Sequence, residues 1–248
     1  MASIRVFSDL AALSAAAARE FASQVEAAVA ARGEAHVALS GGGTPELLFA
    51  LLAAPPYREQ LSWPALHVWW GDERAVAPDH PQSNYGQARR LLLDHVAITP
   101  GHVHRVMGET PLPEAIAAYS AALHSHAAPG AAWPRFDVAV MGMGADGHTA
   151  SLFPGSISEA EIAQPVIGVS AQYEDRPAMR VSLTPMVFND ARTVIFLVAG
   201  GAKAAVLAQV VESAQDEAQL PAQRIQPRDG ALVWFVDEAA ATALQRNR

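Results

Sequence analysis

Short, β-rich apolar runs alternate along the chain with longer segments of helical composition. Runs of this length are typical of buried strands, and the longer segments are typical of helices. The apolar runs predict strands over residues 4–7, 36–39, 66–70, 136–141, 166–169, 181–183, 193–199 and 232–236. The other segments predict an Ala-rich helix that Ser8 or Asp9 caps and that ends near residue 31, helices over 45–53, 83–95, 113–126 and 202–213, and a short terminal helix capped by Asp237.

The alternation of strands and helices favours parallel pairing with right-handed crossovers. The run over 193–199 is almost continuously apolar, which indicates a sheet covered on both faces. We therefore expect an α/β fold with a doubly wound, mostly parallel open sheet and helices on both faces, a Rossmann-like three-layer arrangement. Its ligands should bind beyond the carboxyl ends of the strands. The segments 53–64, 127–134 and 214–227 are expected to be loops rather than linkers, so residues 1–248 should form a single domain.

Composition excludes several classes of protein. The chain of 248 residues is 51% apolar, enough for a sizeable core, and its formal net charge is −8. This acidic balance argues against nonspecific nucleic-acid binding, which depends on Lys and Arg neutralising phosphates. A pocket for a small anion needs only a few local cations and backbone amides, so such a ligand stays possible. The sequence contains no cysteine, which excludes disulfides, thiolate nucleophiles and Cys-based metal centres and fits a cytoplasmic location.

No segment predicts export or membrane insertion. The amino-terminal residues lack the apolar core of a signal peptide. The strongest later apolar run, over 194–199, is six residues long, whereas a membrane span needs about 20. We therefore expect no membrane partner.

The first candidate site is a glycine-rich turn between the predicted strand over 36–39 and the helix that follows. Its residues are Ser40, Gly41, Gly42, Gly43, Thr44 and Pro45. Proline suits the first helical position, which makes Thr44 the expected N-cap. Exposed amides and the helix dipole suit a bound anion, although a plain tight turn is the alternative. The turn lacks the Gly-Lys-Ser/Thr ending of a nucleotide P-loop and the spacing of the dinucleotide fingerprint.

Two cations occupy positions that a bound anion would explain. Lys203 follows a strand and a glycine pair, in the first turn of a predicted helix, where the dipole disfavours positive charge. Arg180 begins a short predicted strand and can clamp a phosphate through two parallel hydrogen bonds. Each residue also fits a solvated surface position, which is the usual place for an arginine that starts a strand.

Charged residues follow the third predicted strand directly, in the segment Trp69-Trp70-Gly71-Asp72-Glu73-Arg74. Parallel strands carry their ligand sites at their carboxyl ends, so this position favours a functional role for Asp72 and Arg74 over a surface ion pair. Downstream, Ser83 and Asn84 are expected to cap the next helix and to face the same cleft.

The segment after the strand over 136–141 contains the strongest candidate for acid–base chemistry. It reads Gly142-Met143-Gly144-Ala145-Asp146-Gly147-His148-Thr149-Ala150-Ser151-Leu152-Phe153-Pro154. Most of the nine histidines are expected at the surface, but glycines that can hold an imidazole in a fixed pose precede His148, and Asp146 lies two residues away. Histidine exchanges protons near neutral pH, which suits a general acid and base. A loop histidine that caps a helix is the alternative.

Taken in order, these segments make the sequence similar to the 6-phosphogluconolactonase family, within the group that includes glucosamine-6-phosphate isomerase/deaminase. The resemblance runs from Ser40 to the Trp234-Phe235-Val236-Asp237 ending. It rests on Ser-Gly-Gly-x-Thr-Pro, Trp-Gly-Asp-Glu-Arg, Ser-Asn-Tyr, Gly-x-Gly-x-Asp-Gly-His-Thr-Ala-Ser-Leu-Phe-Pro and Arg-x-Ser-Leu-Thr. It implies a doubly wound α/β fold and hydrolysis of 6-phospho-D-glucono-1,5-lactone to 6-phosphogluconate in the oxidative pentose phosphate pathway. No cofactor is implied, the partner is this small sugar-phosphate lactone, and the oligomeric state is not predicted.

The relatives divide at one position of the histidine motif. The isomerase/deaminase pattern resembles Asp-Gly-His-Ile-Ala-Phe-Asn-Glu-Pro, in which the glutamate assists the ring-opening histidine. This sequence has Phe153 in that position, and a phenyl ring can neither orient nor deprotonate an imidazole, which favours the lactonase. An amino-sugar-phosphate isomerase/deaminase and a non-catalytic sugar-phosphate sensor are the alternatives.

The resemblance leads to a hypothesis for each site residue. His148 is expected to take a proton from the attacking water and then to protonate the leaving ring oxygen, with no metal. Arg74 is expected to stabilise the oxyanion. Asp146 would orient His148 or hold its loop, and Asp72 would position the water or a sugar hydroxyl. The residues expected to bind the substrate and its phosphate are Ser40, Gly41, Gly42, Gly43, Thr44, Asn84, Arg180 and Lys203.

Overall fold

The computed structural model describes residues 2–171, 177–216 and 220–245, so residues 217–219 of the predicted loop and both ends of the predicted domain lie outside it. The strands are β1 (Ser3–Phe7), β2 (Ala35–Leu39), β3 (Leu66–Trp70), β4 (Asp72–Arg74), β5 (Val103–His104), β6 (Val138–Gly142), β7 (Val166–Ser170), β8 (Met179–Leu183), β9 (Thr193–Val198) and β10 (Ala231–Asp237). The α-helices are α1 (Leu10–Arg32), α2 (Thr44–Leu52), α3 (Tyr57–Gln60), α4 (Asn84–Leu91), α5 (Leu112–Ser125), α6 (Glu159–Ala163), α7 (Pro185–Phe188) and α8 (Ala204–Glu212).

Seven strands of the described ranges form one parallel sheet in the order β1-β10-β9-β6-β2-β3-β5. From β2 the chain moves outward through β3 to β5. From β6 it moves the other way, through β9 to β10, which lies beside β1. The strand order therefore reverses between the neighbours β2 and β6, and doubly wound sheets bind ligands in the crevice beyond such a reversal. This sheet confirms the predicted α/β class.

Two apolar clusters cover the two faces of the sheet. Neighbouring side chains of one strand point to opposite faces, so Trp69 and Trp70 pack in different clusters, as do Trp234 and Phe235. Helices α1 and α2 cover one face, and α5 and α8 cover the other. Each large side chain buried in this way stabilises the fold by about 1.5–3 kcal/mol. No helix of the described chain combines the length and the apolar character that a membrane crossing requires.

The strands β4, β8 and β7 form a separate antiparallel sheet. The strands predicted at 166–169 and 181–183, between which the sequence predicts no helix, therefore pair antiparallel and lie outside the parallel sheet. The sequence also predicts no strand at 72–74, because this segment consists of charged residues and contains none of the β-branched or aromatic residues that are enriched in strands. This small sheet matters for the site, since it pairs Arg74 with Arg180.

Side-chain oxygens cap the amino ends of α1, α4 and α6. The sequence predicts Ser8 or Asp9 as the cap of α1. The cap is Asp9, whose Oδ1 accepts a hydrogen bond from the Ala12 amide at 2.8 Å. The prediction that Thr44 caps α2 is wrong, because Thr44 is already helical and Gly43 is the N-cap. The helix predicted over 83–95 ends at Leu91, and the predicted loop over 53–64 contains α3. The structure also contains elements that the sequence does not predict, among them β5, α6 and α7.

Histidine burial also departs from expectation. Only His80, His95 and His124 are exposed among the nine histidines, all of which lie in described ranges. The other six are buried or half-buried, and five of them gather near β3 and β5. The sequence does not predict this, because the register of parallel strands brings together residues that are far apart in the chain.

Candidate active site

A cleft of about 510 Å³ opens beyond the carboxyl ends of β2, β3 and β6, at the reversal of strand order. The residues expected to act in catalysis or to bind the substrate all line it: Ser40, Gly41, Gly42, Gly43, Thr44, Asp72, Arg74, Asn84, Asp146, His148, Arg180 and Lys203. Ser83, which was also expected to face the cleft, is not among the lining residues and donates its hydroxyl to Glu73 instead. The fold therefore brings all five candidate segments together at the edge of the sheet where a doubly wound fold binds its ligands.

The glycine turn after β2 presents the amino end of α2 to the cleft. Gly41 packs against α4 so closely that a Cβ at this position would overlap the Asn84 side chain. The Gly42 amide donates to Gln87 Oε1 at 3.0 Å, and the Gly42 carbonyl accepts from Gln87 Nε2 at 3.1 Å, so this amide is used within the protein. The N-cap Gly43 has no side chain to cap the helix, which leaves the first amides of α2 for a bound anion.

Glu73, which sequence reasoning did not single out, holds a second wall of the cleft. Its buried carboxylate accepts hydrogen bonds of 2.7–3.0 Å from the amides of Arg74, Asn84 and Tyr85 and from the Ser83 hydroxyl. Burial raises the pKa of Glu73, while these hydrogen bonds act in the opposite direction. The carboxylate thus fastens the start of α4 to β4. Its place between two cleft residues in the Trp-Gly-Asp-Glu-Arg motif is the signal that could have identified it.

Asn84 links the charged side chains of this wall. Its Nδ2 donates to the Asp72 carbonyl at 2.8 Å and to Asp72 Oδ1 at 3.2 Å, and its Oδ1 accepts from Arg74 Nη1 at 2.5 Å. Asp72 Oδ2 accepts the Ser151 hydroxyl at 2.6 Å. Ser151 was not predicted as a site residue. These bonds hold Asp72 and Arg74 in fixed positions at the cleft.

Arg74 and Arg180 lie directly opposite each other on β4 and β8. Like charges in directly opposed positions destabilise an antiparallel pair, and an anion between them would remove the penalty. Arg180 is buried, so the alternative of a surface arginine is wrong. Its guanidinium carbon lies 5.8 Å from the centre of the Phe153 ring. Two arginines held together in this way give the cleft a local positive charge although the whole chain is acidic.

Lys203 ends the 3₁₀ turn Gly201–Lys203 and lines the cleft, directly before α8. The amide of Gly200 donates to both carboxylate oxygens of Asp237 at 3.0 Å. This junction therefore contributes the Lys203 ammonium to the cleft and not the Gly200 amide. Burial lowers the pKa of Lys203, whereas the Asp237 charge raises it. A partly buried ammonium at a helix start is explained by an anionic ligand.

The loop after β6 holds His148 against Asp146. Asp146 Oδ1 lies 2.5 Å from His148 Nδ1 and accepts the His148 amide at 3.1 Å, so this one oxygen contacts both the ring and the backbone. A Cβ at Gly144 would overlap both side chains, so this close approach requires glycine. Burial raises the pKa of Asp146, but the hydrogen bonds and the charge of His148 outweigh burial and lower that pKa to about 2.

Phe153 packs beside the imidazole. Its ring centre lies 5.2 Å from that of His148, and the two rings are tilted by 44°. The position that holds glutamate in the deaminase pattern therefore presents a phenyl ring to His148. Ala150, between them in sequence, lines the cleft with a left-handed backbone at φ 47°. Such a conformation costs a residue with a side chain about 1–3 kcal/mol and is found mainly at functional sites.

Fold and site together define a class of protein. A doubly wound α/β sheet whose cleft combines an uncapped helix start, three cations and an imidazole–carboxylate pair is built as an enzyme for a small anionic substrate. The profile of one family, described as glucosamine-6-phosphate isomerases/6-phosphogluconolactonase, matches residues 8–234. The chain belongs to this family.

Individual relatives are similar over most of their length. The chain is 38% identical over 210 residues to a 6-phosphogluconolactonase of Aggregatibacter actinomycetemcomitans, covering 85% of this chain and 88% of the relative. It is 38% identical over 247 residues to a 6-phosphogluconolactonase of Mycobacterium tuberculosis, covering 98% of each. The solved structure of a 6-phosphogluconolactonase from Trypanosoma cruzi matches with a TM-score of 0.85 and 28% identity, over 99% of this chain and 98% of that one.

Proposed function

We propose that this chain hydrolyses 6-phospho-D-glucono-1,5-lactone to 6-phosphogluconate, a step of the oxidative pentose phosphate pathway. The observation that carries the proposal is the placement of the His148–Asp146 pair and the three cations in one cleft. The family restricts the substrate to sugar phosphates, and the Phe153 ring beside His148 favours the lactonase over the deaminase. The same choice is supported by relatives named 6-phosphogluconolactonase, which align with this chain over most of their length.

The phosphate group binds at the amino end of α2. The Gly42 amide is used by Gln87, so the donors at this helix start are amides further along, such as those of Gly43 and Thr44. The helix dipole and the Lys203 ammonium add positive charge at the same place. Binding at this point fixes the far end of the substrate and aims its lactone carbonyl at the other wall of the cleft.

Hydrolysis then proceeds at His148. Asp146 engages Nδ1, so Nε2 takes a proton from water as the water oxygen attacks the lactone carbon. Arg74 stabilises the oxyanion that forms on the former carbonyl oxygen. The bond between that carbon and the ring oxygen breaks, and Nε2 returns the proton to the ring oxygen, which becomes a hydroxyl of 6-phosphogluconate. Asp72 positions the water or a sugar hydroxyl. Acid–base catalysis of this kind contributes about 10²–10⁴-fold.

A pH-stat assay of the full chain with freshly made 6-phosphogluconolactone tests the proposal. Acid release should exceed the spontaneous rate by a wide margin, with or without a chelator. A parallel assay with glucosamine 6-phosphate should release no ammonia. Ammonia release would identify the deaminase instead, and binding of 6-phosphogluconate without turnover of either compound would identify a sensor. Loss of the lactonase rate with a chelator would contradict the metal-independent mechanism.

A further inference from the structure

Five histidines form a cluster at the end of the sheet away from the cleft: His36, His67, His102, His104 and His126. His36 and His67 are the second residues of β2 and β3 and lie side by side in the parallel register. The cleft lies beyond the other end of the same strands. At about 3.3 Å per residue, the three remaining residues of each strand separate the cluster from that end by roughly 10 Å. The proposed hydrolysis uses none of these histidines.

Three of the rings place donor nitrogens close together. One ring nitrogen of each of His67, His104 and His126 lies within 4.8 Å of the other two. The closest pair, His67 Nδ1 and His104 Nε2, is 3.0 Å apart. Imidazole nitrogens bind Zn²⁺ at about 2.0–2.1 Å, so ligands of a tetrahedral ion lie roughly 3.3 Å from one another. The one measured separation, 3.0 Å, is close to this value, and the other two are at most 4.8 Å, so the three nitrogens lie within the range from which ring rotation can bring them to one ion.

Polar groups lie behind two of these rings. His126 Nδ1 lies 2.9 Å from the Ala122 carbonyl, which can only accept, so Nδ1 donates and Nε2 carries the lone pair. The Glu34 carboxylate lies behind His67, with 3.7 Å between Glu34 Oε2 and His67 Nε2, on the other side of the ring from the contact between His67 Nδ1 and His104 Nε2. A carbonyl or carboxylate behind each ligating imidazole is the usual arrangement at protein metal sites, because it orients the ring and raises its basicity.

The other cluster members support the three donors. Trp69 Nε1 donates to His36 Nδ1 at 3.1 Å, and His36 Nε2 faces Glu34 Oε1 at 3.3 Å, so His36 helps to hold the carboxylate.

We propose that His67, His104 and His126 bind one Zn²⁺ or a similar transition-metal ion, with water completing the coordination. The three ligands come from β3, from the two-residue edge strand β5 and from the residue that follows α5. The ion ties this edge strand and the end of α5 to the sheet. It stabilises the fold and takes no part in hydrolysis. The sequence predicts no metal site, and this proposal departs from that prediction, at a place separate from the cleft.

The test uses the full chain after chelation and dialysis, titrated with ZnCl₂ by calorimetry and followed by thermal unfolding. We expect one ion per chain and, at a hundredfold excess over Kd, a rise in Tm of about 5–10 °C. His126→Gln and His104→Gln should each lose both effects. His124→Gln, an exposed residue of α5, is the matched control and should keep both. Mg²⁺ should produce neither effect, because it prefers oxygen ligands.

A second variant leaves all three ligands in place. Glu34→Gln should weaken Zn²⁺ binding by about 10–100-fold, since it removes the carboxylate behind His67. Equal binding by the native chain and His126→Gln would overturn the proposal, as would the lack of stoichiometric binding by the native chain. The metal-loaded and metal-free forms should hydrolyse the lactone at the same rate well below Tm, and a rate that follows the metal content would contradict the structural role.

Discussion

The imidazole of His148 and the carboxylate of Asp146 form the smallest unit of the proposed mechanism. The pKa of Asp146 is lowered to about 2 from an ordinary value of 3.8, so the group is ionised at every pH at which the enzyme would work. Its charge stabilises the fold above about pH 3.8, and this contribution is lost only as the pH falls through about 2. The pair is therefore intact near neutral pH.

Replacement of Asp146 by Asn should lower kcat and leave KM almost unchanged. The amide can donate as well as accept, so it no longer fixes the imidazole in one tautomer, while the phosphate-binding groups are untouched. We expect a fall in kcat of about 10–100-fold, smaller than the loss on removing the imidazole. Steady-state kinetics measure this effect, with Asp79→Asn, an exposed acid, as the control. Native kcat in the Asp146→Asn enzyme would exclude a role for this carboxylate.

Lys203 is expected to lower the stability of the ligand-free chain and to strengthen ligand binding. Burial lowers its pKa, so the unfolded chain holds the proton more firmly, and the charged group costs stability at neutral pH until the proton is lost at alkaline pH. Lys203→Met should thus keep or raise the free energy of unfolding without ligand, measured in urea. It should weaken 6-phosphogluconate binding by about 10–100-fold, the value of a charge-assisted hydrogen bond of about 1.5–3 kcal/mol.

The arginine variant serves as the control for charge. Lys203→Arg keeps a cation at the start of α8 and should recover most of the affinity for 6-phosphogluconate. A methionine variant that binds 6-phosphogluconate as tightly as the native chain would show that this ammonium does not contact the ligand.

Among the elements, the loop after β6 leaves no room for an added side chain at Gly144. A Cβ at Gly144 would overlap His148 and Asp146, whereas a Cβ at Gly101 would meet open space. Gly144→Ala should therefore displace the imidazole and lower kcat by about 10²-fold, the effect of a misplacement of about 1 Å. Gly101→Ala should leave kcat unchanged. Circular dichroism with steady-state kinetics separates this effect from unfolding, and a fully active, folded Gly144→Ala chain would contradict the geometry described here.

The elements also show what local sequence can and cannot predict. The strand over 66–70 follows from its apolar run, because a strand buried on both faces needs continuous apolar residues. Strand β4 is made of charged residues and exists through its pairing with β8, which is distant in the chain. Local patterns carry no information on such a partner. The cap of α2 was mispredicted for a similar reason, since the turn geometry depends on contacts with α4.

The site also contains residues that the sequence predicts and residues that it does not predict. The residues that line the cleft were identified because their motifs resemble those of a known family, each at the end of a predicted strand. Glu73 and Ser151 were missed, because their importance comes from hydrogen bonds to other segments. The histidine cluster was missed because parallel register, not sequence spacing, places His36 beside His67.

At the scale of the whole molecule, an acidic chain builds a site for an anion. The net charge is −8, yet among the residues that the structure describes Arg74, Arg180 and Lys203 face the cleft, with Asp72 and Asp146 as the lining carboxylates. Salt screens charges beyond about 8–10 Å, so distant acids have little effect on a ligand in the cleft. The reversal of strand order brings the start of α2, the small sheet and the loop after β6 to one place. Fold topology therefore determines where the charge is concentrated.

In the proposed mechanism the cleft binds the phosphate end of the lactone while His148 moves the proton at the other end. His148→Ala tests both parts, by calorimetry with 6-phosphogluconate and by a pH-stat assay of lactone hydrolysis. We expect unchanged binding of 6-phosphogluconate and a rate of hydrolysis lower by about 10²–10⁴-fold. Hydrolysis at a near-native rate by the folded His148→Ala chain would contradict it.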